Sequence, residues 1–401
     1  MPLDEVARRS YGKLVAYLAA RTRDVAAAED ALSEAFAEAL AHWPVAGAPA
    51  NPEAWLLTVA RRKAIDVQRA HARHERAIRD VIEAAAGEPE IPDQRLGLLF
   101  ACAHPAIDES IRAPLMLQVV LGMNAERVAQ AFLTSPAAMG KRLVRAKEKI
   151  RQAGIPFRVP EREELAGRLN SVLQAIYAAY SEGWTDPAAA GTDAARRDLA
   201  EEAIFLARLV GELLPEEPEA LGLLALVLHT EARRRARRDA RGEFVPLAAQ
   251  ERTLWDWPVI AEAEALLRRA ASMGSMGRFQ LEAALQSAHV ARCHTGRANW
   301  DEVVQLYDAL IAITGSPVAA INRALALAEV YGTEAGLRAM EELASDARLS
   351  EYQPYWAARA ELLARSGADE EADRAYERAI GLERDPSVRR FLQWRQRKRA
   401  G

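Results

Sequence analysis

The sequence predicts an all-α protein of several domains. Half of the 401 residues are apolar, and Ala, Leu, Glu and Arg recur along the whole chain while runs of β-branched residues are few. That composition favours helices over strands, and in many segments the apolar residues recur at the spacing of one helix face. A chain of this length buries two or three hydrophobic cores.

An acidic helix is predicted near the N-terminus. Residues 24–43, DVAAAEDALSEAFAEALAHW, place apolar residues at helical spacing and carry Glu29, Asp30 and Glu34 between them. From the residues alone, this pattern indicates an amphipathic helix with a solvated acidic face.

A basic helix is predicted next. Pro49 and Pro52 interrupt the chain, and Asn51 is suited to cap the helix that follows. This helix is expected to bury Trp55, Leu56, Val59 and Ile65 and to expose Arg61, Arg62, Lys63, Arg69 and Arg73. Between residues 61 and 79 there are seven Lys or Arg residues and two acidic ones, so this face is suited to bind phosphate with a steep salt dependence. Trp55 on the apolar stripe favours a core role, and a base-stacking platform is the alternative.

The segment 122–151 predicts two helices of unequal length. Asn124 is suited to cap a short helix at 125–132, and Ser135 followed by Pro136 marks the start of a longer one. The longer helix is expected to bury Met139, Leu143 and Ile150 and to expose Lys141, Arg142, Arg145, Lys147, Lys149 and Arg151. A short helix, a tight turn and a basic helix fit the major groove of DNA. The basic pattern by itself also fits an ordinary surface helix.

Taken together, these segments resemble a known family. The acidic helix, EAWLLTVARRKAID at 53–66 and the pattern GMxxERVAxxxxxSxxxMxxRLxRAK at 122–147 are similar in order and spacing to regions 2 and 4 of extracytoplasmic-function sigma factors of the sigma-70 family. The resemblance covers about residues 10–155. It implies region 2 at residues 1–80, region 4 at 93–155, and a linker rich in Gly, Pro and acidic residues at 81–92.

The resemblance also implies partners and residue roles. The acidic helix would contact the beta-prime clamp of core RNA polymerase through Glu29, Asp30, Glu34 and Phe36, and region 4 would contact the beta flap. The basic helix would read and help melt the minus-ten promoter element, and the longer helix would enter the major groove at the minus-thirty-five element. The residues expected at promoter DNA are Arg61, Arg62, Lys63, Arg69, Ala138, Lys141, Arg142 and Arg145.

Residues 156–401 predict an additional helical domain. Tyr, Leu and Pro at 307, 310 and 317 recur as Tyr, Ala and Pro at 376, 379 and 386, a shift of 69 residues. This shift is close to two periods of about 34 residues, as in tetratricopeptide repeats. The segment 355–386 resembles one such repeat, and 199–234, 299–317 and 321–343 resemble more divergent parts. Stacked helix pairs offer a concave surface to a protein or peptide partner, and a solenoid that only packs against the preceding modules is the alternative.

Two basic clusters lie within this domain. Residues 231–241, EARRRARRDAR, are close in sequence to the aromatic Phe244, Trp255 and Trp257. The cluster fits either an anion or nucleic-acid patch or a solvated turn between helices, and the pattern favours the turn. The C-terminal VRRFLQWRQRKRA indicates a basic cap on the last helix.

The sequence argues against catalytic, metal and cofactor sites. It contains no GxxxxGK[ST] phosphate loop, no nucleophile elbow and no HExxH motif. Cys102, His104 and Asp108 have no further ligand at metal-site spacing, so a packing role is expected. Two cysteines fit a reducing cytoplasm, and no apolar run is long enough to span a membrane. We therefore expect a cytoplasmic protein that is not an enzyme and uses no cofactor, metal or membrane.

Two functions fit these patterns. The first is an RNA polymerase sigma factor that directs promoter-specific initiation, with a C-terminal helical-repeat domain that regulates it in cis or binds a partner. The alternative is a helix-turn-helix DNA-binding regulator with a repeat platform that does not join polymerase. The acidic helix followed by a basic melting helix favours the sigma factor, because a plain repressor has no use for that pair.

Overall fold

The architecture is helical throughout the described chain. A computed structural model describes residues 3–71, 93–131, 134–184 and 193–399. Within these ranges the structure is built from helices, and the β-type pairing is limited to an isolated bridge between Arg238 and Phe244. The predicted all-α fold is confirmed. The chain divides into two compact units, one formed by residues 1–184 and 195–209 and the other by residues 185–194 and 210–401.

The first unit contains both basic helices. Its elements are α1 (Leu3–Thr22), α2 (Val25–Ala46), α3 (Pro52–His71), α4 (Arg95–Cys102), α5 (Glu109–Val119), α6 (Ala125–Ala131), α7 (Pro136–Ala153), α8 (Arg162–Trp184) and most of α9 (Asp193–Leu213). Helices α1, α2 and α3 pack together, α4 and α5 contact α1, α7 contacts α2, and α8 packs on α5. The predicted linker at 81–92 lies outside the described residues.

Polar caps fix where these helices begin. Asn51, Asn124 and Ser135 each accept a hydrogen bond from the backbone N–H three residues later, at 3.1, 2.9 and 3.3 Å. Asp24 caps α2 in the same way. A cap satisfies one of the N–H groups that have no partner inside the helix. The three caps expected from the sequence are therefore confirmed.

The apolar stripes of these helices form the core of the first unit. Met139, Leu143 and Ile150 of α7 are buried as predicted, and so are Leu56 and Val59 of α3. The side chain of Ile65 lies outside the described residues.

Trp55 differs from the expectation because it is only partly buried. Its ring meets that of Trp43 edge to face, with ring centroids 5.5 Å apart. An indole is large, so a tryptophan at the edge of the apolar face of α3 is rarely buried completely.

The second unit is a row of helices. It contains the last residues of α9, then α10 (Pro218–Glu231), α11 (Trp257–Ala271), α12 (Arg278–Thr295), α13 (Trp300–Thr314), α14 (Pro317–Tyr331), α15 (Thr333–Glu342), α16 (Gln353–Ser366), α17 (Asp369–Leu382) and α18 (Pro386–Arg399). From α10 to α18 each helix packs on the next one in the chain. Each helix thus buries its apolar face against its neighbours, which is how helical-repeat domains are stabilised.

Glycines make the tight turns between paired helices. Gly332 joins α14 to α15 and Gly367 joins α16 to α17, with φ angles of 88° and 80°. Side chains rarely adopt this left-handed region, so glycine suits both turns. The segments 321–343 and 355–386 therefore each form a helix pair. Segment 199–234 also forms two helices, α9 and α10, but most of α9 belongs to the first unit.

The Arg-rich segment 231–241 is held by contacts inside the protein. Arg233 is buried and donates to the carbonyl oxygen of His229, Arg234 pairs with Glu231, and Arg238 pairs with Asp385 at 2.6 Å. A short 3₁₀ helix, Arg234–Arg237, carries the chain through the turn. These contacts favour the interpretation as a turn between helices over that of a free anion patch.

Candidate nucleic-acid interface

The basic face of α7 is set by the helix start and by its buried stripe. Ser135 caps the helix and Pro136 occupies its first turn, while one face is buried in the core. Lys141, Arg145 and Lys149 therefore project from the opposite side and are exposed. A helix that begins at a sharp turn and turns a cationic face to solvent has the shape and charge needed to approach a DNA groove.

Arg142 lies at the edge of this face. Its Nη2 donates to the carbonyl oxygen and to the Oγ of Ser110, at 3.1 and 2.6 Å. Arg142, Arg145 and Lys149 line one side of a cleft of about 280 Å³, and the other side is formed by residues 106–108 and 111. Three cations around one cleft attract a phosphate group, and Asp108 at the cleft edge limits that attraction.

Ala138 has a different place from the other residues expected at DNA. It is exposed in the first turn of α7, and its backbone N–H donates to Ser135 Oγ. Since the cap takes up this N–H, only the methyl side chain is left to contact a ligand. Apolar contact with a thymine methyl group is the interaction that such a side chain makes with a base edge.

One cation in the C-terminal half of α7, Lys147, faces α2 instead of solvent. Lys147 Nζ lies 2.5 Å from Glu29 Oε2, and both side chains are only 13% exposed. Arg151 pairs with Glu148 at 2.5 Å and approaches Asp24 at 3.9 Å. Burial raises the pKa of the Glu29 carboxyl, although Lys147 and the Tyr11 hydroxyl act in the opposite direction. Lys147 is therefore not part of the exposed cationic face of α7.

The basic residues of α3 have three different environments. Arg61 Nη2 donates to the hydroxyl of Tyr17 at 2.5 Å, and its guanidinium lies 5.2 Å from the centre of that ring. Arg62 is exposed. Lys63 lies 3.6 Å from Glu34 and 3.9 Å from Glu38. The side chain of Arg69 lies outside the described residues.

The residues expected to bind polymerase on α2 also differ in how exposed they are. Asp30 and Glu34 are exposed, Phe36 is partly buried, and Glu29 is largely covered. Asp30 and Glu34 are therefore accessible in this conformation, although Glu34 also pairs with Lys63, whereas Glu29 is covered by Lys147.

Sequence reasoning missed the contacts between distant segments. Lys147 and Glu29 are 118 residues apart, and Arg95 and Glu202 are 107 apart. Helical periodicity identifies which face of a helix is buried but not which helix covers it. A local signal existed only for Arg95, a basic residue at the start of an otherwise apolar helix.

Cys102, His104 and Asp108 have structural roles. Cys102 is fully buried, His104 Nδ1 accepts a hydrogen bond from the N–H of Ala106, and Asp108 caps α5. Among the residues that the structure describes, no group of three or more His, Cys, Asp and Glu is placed to hold a metal ion. No helix in the described ranges is long and apolar enough to cross a membrane.

Comparison with known proteins gives different family matches for the N-terminal part and the middle of the chain. Residues 6–74 match the model for sigma-70 region 2, and residues 168–271 match a family of unknown function, DUF6596. An uncharacterized protein of Rhizobium meliloti is 37% identical over 398 residues, which cover 96% of this chain and 92% of that protein. A probable RNA polymerase sigma factor of Xanthomonas campestris is 30% identical over 163 residues, 36% of this chain and 40% of that protein. No solved structure matches.

Proposed function

We propose that the chain is a sigma factor of the extracytoplasmic-function type that directs promoter-specific initiation. It belongs to the same family as the Rhizobium meliloti protein, and its residues 6–74 match sigma-70 region 2. In this proposal α1 to α3 form region 2, and α6 and α7 form the helix-turn-helix of region 4. The observation that carries the proposal is that the region 2 match coincides with α1 to α3, where the exposed acids of α2 lie beside the basic helix α3.

The polymerase contact is assigned to the exposed part of the acidic helix. Asp30 and Glu34 are exposed and can meet the cationic clamp surface of the beta-prime subunit, where a clamp cation would take the place of Lys63 at Glu34. Complementary charge sets both the rate and the specificity of such an encounter. The double substitution Asp30→Lys, Glu34→Lys is expected to reduce binding of the full chain to core polymerase at least tenfold, measured by fluorescence anisotropy. Glu370→Lys, Glu371→Lys is the matched control, because both of these acids are exposed in the second unit.

A folded Asp30→Lys, Glu34→Lys variant that binds polymerase as well as the control would contradict the sigma assignment. The chain would then fit the alternative, a DNA-binding regulator that does not join polymerase.

The promoter contact is assigned to the exposed residues of α7. Lys141 and Arg145 are the cleanest substitutions, since Arg142 also contacts Ser110. Replacing a phosphate-binding cation by Ala weakens every sequence about equally and reduces the salt slope by about one, whereas replacing a base-reading residue costs about 1–3 kcal/mol at one position. In vitro transcription from a library of promoter variants separates the two roles, with the exposed Arg268→Ala of the second unit as control.

Unchanged output from Lys141→Ala and Arg145→Ala on every promoter would remove α7 from the DNA interface.

The second unit is assigned to a tetratricopeptide-like domain that regulates the factor in cis or binds a protein or peptide partner. It contains a groove of about 320 Å³ lined mainly by apolar residues of α14, α16 and α18, together with Phe244 and Asn322. Filling the groove with Asn322→Trp in the full chain is expected to change the yield of transcription. Glu334→Trp on the exposed side of α15 is the control. Equal yields from the two variants and the wild type would argue against a regulatory role for this groove.

A further inference from the structure

Helix α7 covers Glu29, the most buried acid of α2, and residues of other helices also surround this carboxylate. Glu29 receives the ammonium of Lys147 and a hydrogen bond from the Tyr11 hydroxyl of α1. Helices α1, α2 and α7 therefore meet around a single carboxylate. We call Tyr11, Glu29 and Lys147 the latch. The thiol of Cys102, at the end of α4, is fully buried, and both burial and the charge of Glu29 raise its pKa.

The backbones beside the latch approach as closely as glycine permits. A Cβ atom at Gly12 of α1 would lie 1.9 Å from the carbonyl oxygen of Val120, at the end of α5. Gly122 has a φ of 66°, and a Cβ atom there would lie 3.0 Å from the ring of Tyr11. Helix α1 and the segment 120–122 thus pack closely against each other, with a glycine on each side of the contact. A loose encounter between two modules would not require glycine at these positions.

The same carboxylate is required elsewhere if the proposed function is correct. Glu29 belongs to the acidic helix assigned to polymerase, and in this conformation its charge is already satisfied by Lys147 at 2.5 Å. A carboxylate that is 13% exposed offers almost no surface to a second cation. A cationic partner can therefore reach Glu29 only after α7 has moved away from α2.

We propose that this arrangement is a closed state in which the recognition helix α7 masks the polymerase-binding face of α2, and that the cationic surface of polymerase replaces Lys147 at Glu29 when the latch opens. This inference rests on the proposed function. The latch lowers the apparent affinity for polymerase, because the contact with Glu29 forms only in the open state and part of the binding energy is used to open the latch. The latch also keeps α7 packed on α2 until polymerase is present.

The test uses one charge change inside the latch and one outside it. Lys147→Glu in the full chain places two carboxylates together and favours opening, while Glu29 stays intact for polymerase. Arg158→Glu makes the same charge change at an exposed cation beyond the end of α7 and is the matched control. Binding to core polymerase without DNA, followed by anisotropy, is expected to become about tenfold tighter for Lys147→Glu and to stay unchanged for Arg158→Glu.

Cys102 supplies a second readout that does not involve polymerase. In a Cys293→Ser background, the rate at which a thiol reagent modifies Cys102 reports how often the latch opens. Lys147→Glu is expected to raise this rate about tenfold, and adding Glu29→Lys, which restores an ion pair of reversed polarity, should return it towards wild type. The new negative charge by itself disfavours the reactive thiolate, so a faster reaction cannot be a direct charge effect.

Each result has a separate meaning. Equal thiol rates and equal polymerase affinities for Lys147→Glu and Arg158→Glu would overturn the latch. A faster thiol reaction without polymerase binding by any variant would keep the closed state but reject the proposed function. If circular dichroism shows that Lys147→Glu is unfolded, Lys147→Met replaces it, with the same directions expected and a smaller change.

Discussion

Arg95 is the side chain whose loss should damage the first unit most. It is 8% exposed at the start of α4, pairs with Asp93 at 2.9 Å and with Glu202 of α9, and lies 4.3 Å over the ring of Phe205. Although burial acts in the opposite direction, hydrogen bonds and charge from Arg95 hold the pKa of the Asp93 carboxyl below its usual value. One guanidinium thus joins α4 to α9.

The cost of Arg95→Met follows from the partners it leaves behind. Breaking a buried ion pair by removing one partner typically costs about 3–5 kcal/mol, since the other charge stays uncompensated. Here the two carboxylates are 27% and 25% exposed, so water partly replaces the lost partner. The methionine side chain also keeps apolar contact with Phe205. We therefore expect a loss near the lower limit, about 3 kcal/mol, or roughly a hundredfold in the unfolding constant.

Hydrogen exchange followed by mass spectrometry measures this loss where it occurs. Peptides from α4 and α5 should exchange roughly a hundredfold faster in Arg95→Met, while peptides from α16 and α17 in the second unit serve as an internal reference. Arg158→Met is the control, because Arg158 is 57% exposed and its pair with Glu161 should contribute less than about 1 kcal/mol. Equal exchange in the two variants would refute the reasoning that Arg95 holds α4 and α9 together.

Gly12→Ala should destabilise the first unit by about 3 kcal/mol in urea unfolding, because its Cβ atom would meet Val120. Gly140→Ala, with nothing within 4 Å, should be slightly stabilising, and similar behaviour of the two variants would disprove the close contact. Burial lowers the pKa of His229 to about 4 from 6.5. The unfolded chain therefore takes up this proton first as the pH falls, and His229 should cost the second unit on the order of 3 kcal/mol between pH 6.5 and 4, in addition to the loss from His289, whose pKa burial also lowers to about 4. His229→Leu should flatten that slope in thermal melts, and an unchanged slope would exclude His229 as its cause.

The sequence was sufficient to predict what depends on neighbours along the chain. Caps at Asn51, Asn124 and Ser135 and the buried face of α7 follow from residues three or four positions apart, and the structure confirms them. The paired helices at 321–343 and 355–386 follow from the same local rules.

The remaining features depend on partners that local patterns do not identify. Residues 199–209 read as part of a repeat, yet they lie in the first unit because Glu202 and Phe205 contact Arg95. Lys147 reads as one more cation of a DNA-binding face, yet it faces Glu29. In both cases a cation pairs with a carboxylate that is more than 100 residues away in the sequence: Arg95 with Glu202, and Lys147 with Glu29.

The contact between Lys147 and Glu29 has a thermodynamic consequence for how the two macromolecular partners affect each other. If α7 must leave α2 before either DNA or polymerase can use its full surface, each ligand removes part of the cost that the other has to meet. Linkage then requires reciprocity: the factor by which promoter DNA strengthens polymerase binding equals the factor by which polymerase strengthens promoter binding. One ion pair would thereby make the search for DNA by the isolated factor weak and its engagement within the complete complex strong.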